Sequence, residues 1–95
     1  MKVFVILSCK AGTTQEHFQP LVDAEDRHAF ALYGQDVLRE MYSRADGQGA
    51  IGVLECPSVE DAKRLMSELP MVKAGLLDVE VFGAAPYRGI AQRAL

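Results

Sequence analysis

A chain of 95 residues makes one domain, and at that size roughly two-thirds of the unfolded surface is buried on folding, enough for a single core with little margin. The net charge is −3 with acids and bases interspersed, and no basic stripe or aromatic platform is present to follow a phosphate backbone, which argues against nucleic acid as a partner. Apolar residues make up 49% of the chain without a run long enough to cross a bilayer, and the Met1–Leu7 opening is too short for a signal-peptide core, so no membrane partner and a cytoplasmic location are expected.

Hydrophobic spacing divides the chain into alternating strands and helices with no linker or repeat that would mark a second unit. Val3 to Leu7 is a continuous apolar run, predicted as a buried strand. Ala11-Gly12-Thr13-Thr14 breaks it, and Thr13 with Glu16 three residues on is the pattern of a capping box opening a short helical turn. The main helix is predicted from Pro20, where a missing N–H is harmless, to about Tyr33, with Gly34 as the stop. A second strand spans Val37 to Arg44. Asp46-Gly47-Gln48-Gly49 is a hairpin turn, and Ala50 to Cys56, apolar at nearly every position, is a central strand. Ser58 with Asp61 caps a second helix from Val59 to about Leu69. Leu76 to Phe82 is the last strand, and residues 84–95 read as a C-terminal tail.

The resulting order, β-α-β-β-α-β, predicts an α+β, ferredoxin-like fold: a four-stranded antiparallel sheet with two helices on one face. Strands one and three are apolar on both faces, as Val3, Val5, Leu7 and Phe4, Ile6 illustrate, and such a sheet left bare exceeds the patch a monomer tolerates. A homodimer, or a higher homo-oligomer, with sheets face to face is the simplest remedy. Cys9 and Cys56 fall at opposite edges of antiparallel neighbours, so no bridge is expected between them. Both read as ordinary thiols, with Cys9, just ahead of a turn, the one placed to react.

Chemistry is sought first on the main helix. Leu21, Val22, Ala29 and Leu32 form an apolar stripe, and Glu25 falls inside it with His28 at its edge. A carboxyl directed into an apolar layer has its pKa pushed up by desolvation, which suits it to proton transfer near neutral pH. Glu25 is therefore the candidate general base or acid and His28 its companion; the competing reading makes Glu25 half of a structural ion pair with Arg39, Arg44 or Arg88, and His28 a half-exposed surface residue. Arg39, Tyr42 and Arg44 on the second strand are candidate substrate-binding groups, with Arg39 on one face and Tyr42 and Arg44 on the other, so whichever face meets the helices brings one near Glu25. Lys73 in its Pro-Gly loop and Tyr87 and Arg88 in the tail are further candidates for closing a pocket. His17 and His28 share no register and the acids do not cluster at ligand spacing, so no metal site is expected, and no phosphate loop occurs.

Several segments together, Lys10-Ala11-Gly12-Thr13-Thr14 before Phe18-Gln19-Pro20, the helix acid Glu25, Arg39-Glu40-Met41-Tyr42, Pro57-Ser58-Val59-Glu60-Asp61-Ala62, and Leu69-Pro70 through Phe82, resemble the muconolactone isomerase-like family. The resemblance runs from Met1 to about Gly89. It implies a dimeric α+β barrel and cofactor-independent proton transfer on a small unsaturated or lactone-type organic acid, with Glu25 as the matching helix acid and no cofactor. Two other readings stand beside it: a non-catalytic dimeric binding or assembly module, and a cofactorless monooxygenase or cyclase acting on an aromatic or polyketide-like substrate.

Overall fold

In strand β1 (Lys2–Cys9) alternate side chains part company: Val3, Val5 and Leu7 are buried, while Phe4 between them is 45% exposed. The structure, a computed structural model, describes residues 1–94; residue 95, the last of the predicted tail, lies outside them. β1 pairs antiparallel with β3 (Gly49–Glu55) on one side and β4 (Leu77–Gly83) on the other, and β3 pairs with β2 (Leu38–Ser43), giving the order β2-β3-β1-β4. Helices α2 (Val22–Gly34) and α3 (Val59–Ser67) deliver Leu32, Ala62 and Met66 onto Val3, Val5, Leu7 and Leu54, so both cover the same sheet face. The fold is the ferredoxin-like βαββαβ arrangement. Each fully buried Val or Leu in that layer contributes about 1.5–3 kcal/mol of transfer free energy.

Local signals set most boundaries. Ser58 Oγ accepts from the Asp61 N–H at 3.1 Å and donates to the Asp61 carboxylate at 2.9 Å, which starts α3 as predicted. Gly49, at the hairpin end, has φ of +141°, and a Cβ there would lie 1.9 Å from the Leu7 carbonyl oxygen, so only glycine lets β3 close on β1. Cys9 and Cys56 sit at opposite ends of the paired β1 and β3, and both are free thiols. No helix among the described residues is long and apolar enough to cross a membrane.

Five details depart from the sequence reading. The capping box begins one residue later, at Thr14 rather than Thr13: the Thr14 N–H donates to His17 Nδ1 at 2.9 Å, so His17 does what Glu16 was expected to do, and Thr13 Oγ1 bonds the Lys10 carbonyl instead. The turn it opens, α1 (Gln15–Phe18), runs into a 3-10 turn over Gln19–Leu21 that holds Pro20, and α2 follows only at Val22. Gly34 is not the stop; α2 ends as Asp36 takes φ of +60°, a left-handed conformation that Asp tolerates, with its N–H on the Tyr33 carbonyl at 3.1 Å. Pro70 opens a separate four-residue helix, α4 (Pro70–Lys73), because Leu69 before it is extended and proline suits a first helical position. The C-terminal tail carries a helix of its own, α5 (Arg88–Ala94).

Candidate functional site

The stripe on α2 does not lie flat against the sheet. Between α2, the end of β1 and the β2–β3 hairpin it leaves an open cleft of about 560 Å³, walled by apolar side chains including Leu7, Val22, Ala29, Met41 and Leu77. That volume is within the roughly 300–1,000 Å³ of small-molecule sites. Glu25 lies in its wall. One carboxylate oxygen, Oε1, accepts the backbone N–H of Met71 at 2.9 Å, so α2 is tied to the first turn of α4 across the cleft. That N–H is unpaired within its own helix, as first-turn donors are, and the carboxylate satisfies it.

Two opposing effects act on the Glu25 carboxyl. Burial in the apolar wall raises its pKa above the ordinary value of 4.5, and the repulsion of neighbouring Asp26 adds to this. The Met71 hydrogen bond and the nearby charge of His28 pull it down, but burial prevails. The result is a carboxyl more readily protonated than a surface glutamate, held in place by a backbone donor. No ion pair with Arg39, Arg44 or Arg88 forms: among the described residues the carboxylate's partner is a backbone amide.

The remaining predicted residues are scattered. His28 is half-buried one turn along α2 and does not line the cleft. A β-bulge between Leu38 and Glu40 interrupts the alternation of β2, so Leu38 opposite Leu54 and Met41 opposite Gly52 both face the helices. Tyr42 and Arg44 border the cleft that Glu25 lines, but neither is bonded to its carboxylate. Arg39, at the bulge, is exposed and its Nε donates to the Asp36 carbonyl at 2.6 Å. Tyr42 borders the cleft, but it pairs with Ile51 on the face without helices, and its hydroxyl donates to Glu40 at 2.9 Å, which raises the phenol pKa. Arg44 also borders the cleft, with its guanidinium engaged by the Asp46 carboxylate at 2.6 and 3.1 Å and by Ser8 Oγ at 2.7 Å; that contact holds the Asp46 pKa down. Lys73 ends α4 and is exposed, Tyr87 is 75% exposed, and Arg88 donates to Gln92 within α5 at 3.3 Å. Within the described protomer none of these three reaches the cleft.

No protein-family model matches the chain, and no curated protein matches it in sequence. Among solved structures, muconolactone isomerase superposes with a TM-score of 0.73 over 92% of this chain and 91% of its own, at 21% identity. This is the muconolactone isomerase fold. The same fold is shared by 5-chloro-2-hydroxyhydroquinone dehydrochlorinase from Burkholderia phenoliruptrix, solved in complex with 2,5-dihydroxybenzoquinone, with a TM-score of 0.67 over 94% of this chain and 98% of that one at 16% identity.

Within that fold the site contains residues that the sequence reading passed over. Asp26 and Phe18 line the cleft, and Met71 supplies the N–H that holds Glu25. Pro70 carried a usable signal for the last: a proline in first helical position implies an unpaired amide just after it. Cys9, singled out as the thiol placed to react, lies in the cleft wall.

Proposed function

We propose that this protein is a cofactor-independent, isomerase-like enzyme that moves a proton on a small unsaturated or lactone-type molecule, with Glu25 as the acid–base group. One observation carries the reading: a carboxyl with a raised pKa, oriented by the Met71 N–H, in the wall of a ligand-sized apolar cleft. In the forward step ionised Glu25 takes a proton from the carbon beside the substrate carbonyl, leaving a conjugated enolate. The protonated carboxyl then returns it to the far carbon of the allylic system, and the double bond shifts with no net change in composition. His28, three residues on, is proposed to tune Glu25 through its charge. The fold it shares with an isomerase and a dehydrochlorinase supports small-molecule chemistry. Tyr42 and Arg44, at the border of the cleft, are proposed binding groups, and Arg39, Lys73, Tyr87 and Arg88 are so only through a partner protomer or a closed form of the cleft.

The proposal includes a homodimer or larger homo-oligomer, supported by the apolar side chains on the face without helices, where Phe4, Ile51 and Phe82 are 43–51% exposed. A cytoplasmic location is proposed on the two free thiols. The test is proton exchange: with α-angelica lactone and related unsaturated lactones and cyclic enones in D₂O, proton NMR is expected to show deuterium entering the ring carbons with wild type and a loss of about 10²-fold or more with Glu25→Gln. Equal exchange by the two proteins would overturn the role of Glu25, and none by wild type across the panel would favour the non-catalytic module.

A further inference from the structure

One row of residues crosses the helix-facing side of the sheet. Met41 on β2 pairs opposite Gly52 on β3, Gly52 opposite Val5 on β1, and Val5 opposite Val81 on β4. Val5 is 1% exposed and Val81 packs against the same core, so the row is filled except at Gly52, which has no side chain to offer. Met41 fills that gap from the neighbouring strand: a Cβ built on Gly52 would lie 3.0 Å from Met41 Sδ and 3.3 Å from a Val5 methyl.

The same methionine is half-buried and lines the Glu25 cleft, which Val5 and Gly52 do not. Met41 therefore stands between the cleft and the buried layer at Val5, and its thioether closes a hollow that the missing side chain of Gly52 would otherwise leave open to the cleft. Its chemistry suits the position. An unbranched side chain with three rotatable bonds fills an irregular gap and shifts more readily than a branched one. Leu7, which lines the cleft from β1, is 2% exposed and fixed in the core, so of these two sheet residues Met41 is the one free to adjust.

We infer that Met41, seated over Gly52, sets the depth of the Glu25 cleft and is its specificity-determining residue, admitting compact single-ring molecules and shutting out an alkyl substituent that would run inward between α2 and the sheet toward Val5. This rests on the cleft being a small-molecule site, and it adds the size class that the site accepts.

Two substitutions that change the depth in opposite directions test it, with phenol and 4-propylphenol titrated into the full chain at pH 7 and followed by calorimetry. Met41→Ala removes an arm about the size of a propyl group and opens the hollow over Gly52. A buried methylene favours binding by about fourfold, so the preference for 4-propylphenol over phenol is expected to rise by about tenfold or more from wild type to Met41→Ala. Gly52→Ala sets a methyl 3.0 Å from both Met41 Sδ and the Glu40 carbonyl oxygen; the backbone oxygen is held in the sheet, so the thioether yields into the cleft, and phenol is expected to bind about fourfold more weakly. In wild type labelled with ¹³C at the methionine methyls, phenol is expected to shift the Met41 signal. An unchanged preference in Met41→Ala, unchanged phenol binding by Gly52→Ala, or a Met41 methyl that phenol does not shift overturns the inference and leaves the Glu25 cleft as a ligand site. Should either variant not fold, the other variant and the methyl signal decide. Binding of neither phenol to wild type or Met41→Ala defeats the small-molecule reading of the cleft, and the inference with it.

Discussion

Replacing Glu25 separates its two roles, because the Met71 hydrogen bond and the ionisable proton can be removed independently. In Glu25→Ala the Met71 N–H loses its acceptor at 2.9 Å, and the first turn of α4 loses its tie to α2. One neutral-to-charged hydrogen bond with a backbone donor, partly exposed, is worth about 1 kcal/mol, and in a domain of 95 residues that lowers the melting temperature by roughly 4–8 °C. Glu25→Gln keeps an acceptor oxygen of the same reach and removes only the charge, so its stability at neutral pH is expected to equal or slightly exceed that of wild type. The pH dependence has a definite sign. The folded-state pKa of Glu25 is raised, so its contribution is fully present below the unfolded value near 4.5 and is lost as pH rises through the folded value. Wild type and Glu25→Gln should therefore melt together at the acid end of that window and separate above it, with the Gln variant the more stable. Circular dichroism melts of the three proteins between pH 4 and 8 test this. A Gln variant as destabilised as Ala, or a wild type that gains on Gln as pH rises, would show that Glu25 is a structural charge and that burial does not govern it.

Three other perturbations test the scaffold. Ser58→Ala removes the cap that accepts from the Asp61 N–H and is expected to destabilise by about 1 kcal/mol, read as a lower melting midpoint in urea. Gly49→Ala forces a side chain into a φ of +141° and against the Leu7 carbonyl, and a loss of roughly 2–3 kcal/mol is expected; a neutral result in the same melt would mean the hairpin closes differently. Phe4, 45% exposed at the middle of the bare sheet face, can become Lys without disturbing the protomer core, and light scattering is expected to find a dimer for wild type and a 10.4 kDa monomer for Phe4→Lys, whereas a monomeric wild type removes the face-to-face dimer.

The fold was legible because its signals are local. Apolar runs in β1 and β3, the Gly47-Gln48-Gly49 turn and the Ser58 cap each depend on residues within a few positions, and together they specify the order of strands and helices. The site was less so, because it depends on pairing across the chain. Glu25 stood out as an acid in an apolar stripe, yet its partner is an amide 46 positions away in a helix that Pro70 starts and a plain turn reading conceals. Alternation placed Arg39 and Tyr42 on opposite faces of β2, and a bulge created by pairing with β3 undid that placement. Arg44 could be seen as a cation but not as one committed to Ser8, 36 residues earlier.

The most direct test of Glu25 as the proton-transfer group is the pH profile of deuterium exchange catalysed by wild type, compared with the titration of the Glu25 carboxyl followed by carbon NMR. A base must be ionised to act, so exchange is expected to rise with pH, to reach half its plateau at the midpoint of the Glu25 titration, above its ordinary value of 4.5, and to level off beyond it. A flat profile, or one that turns where Glu25 does not titrate, would contradict it.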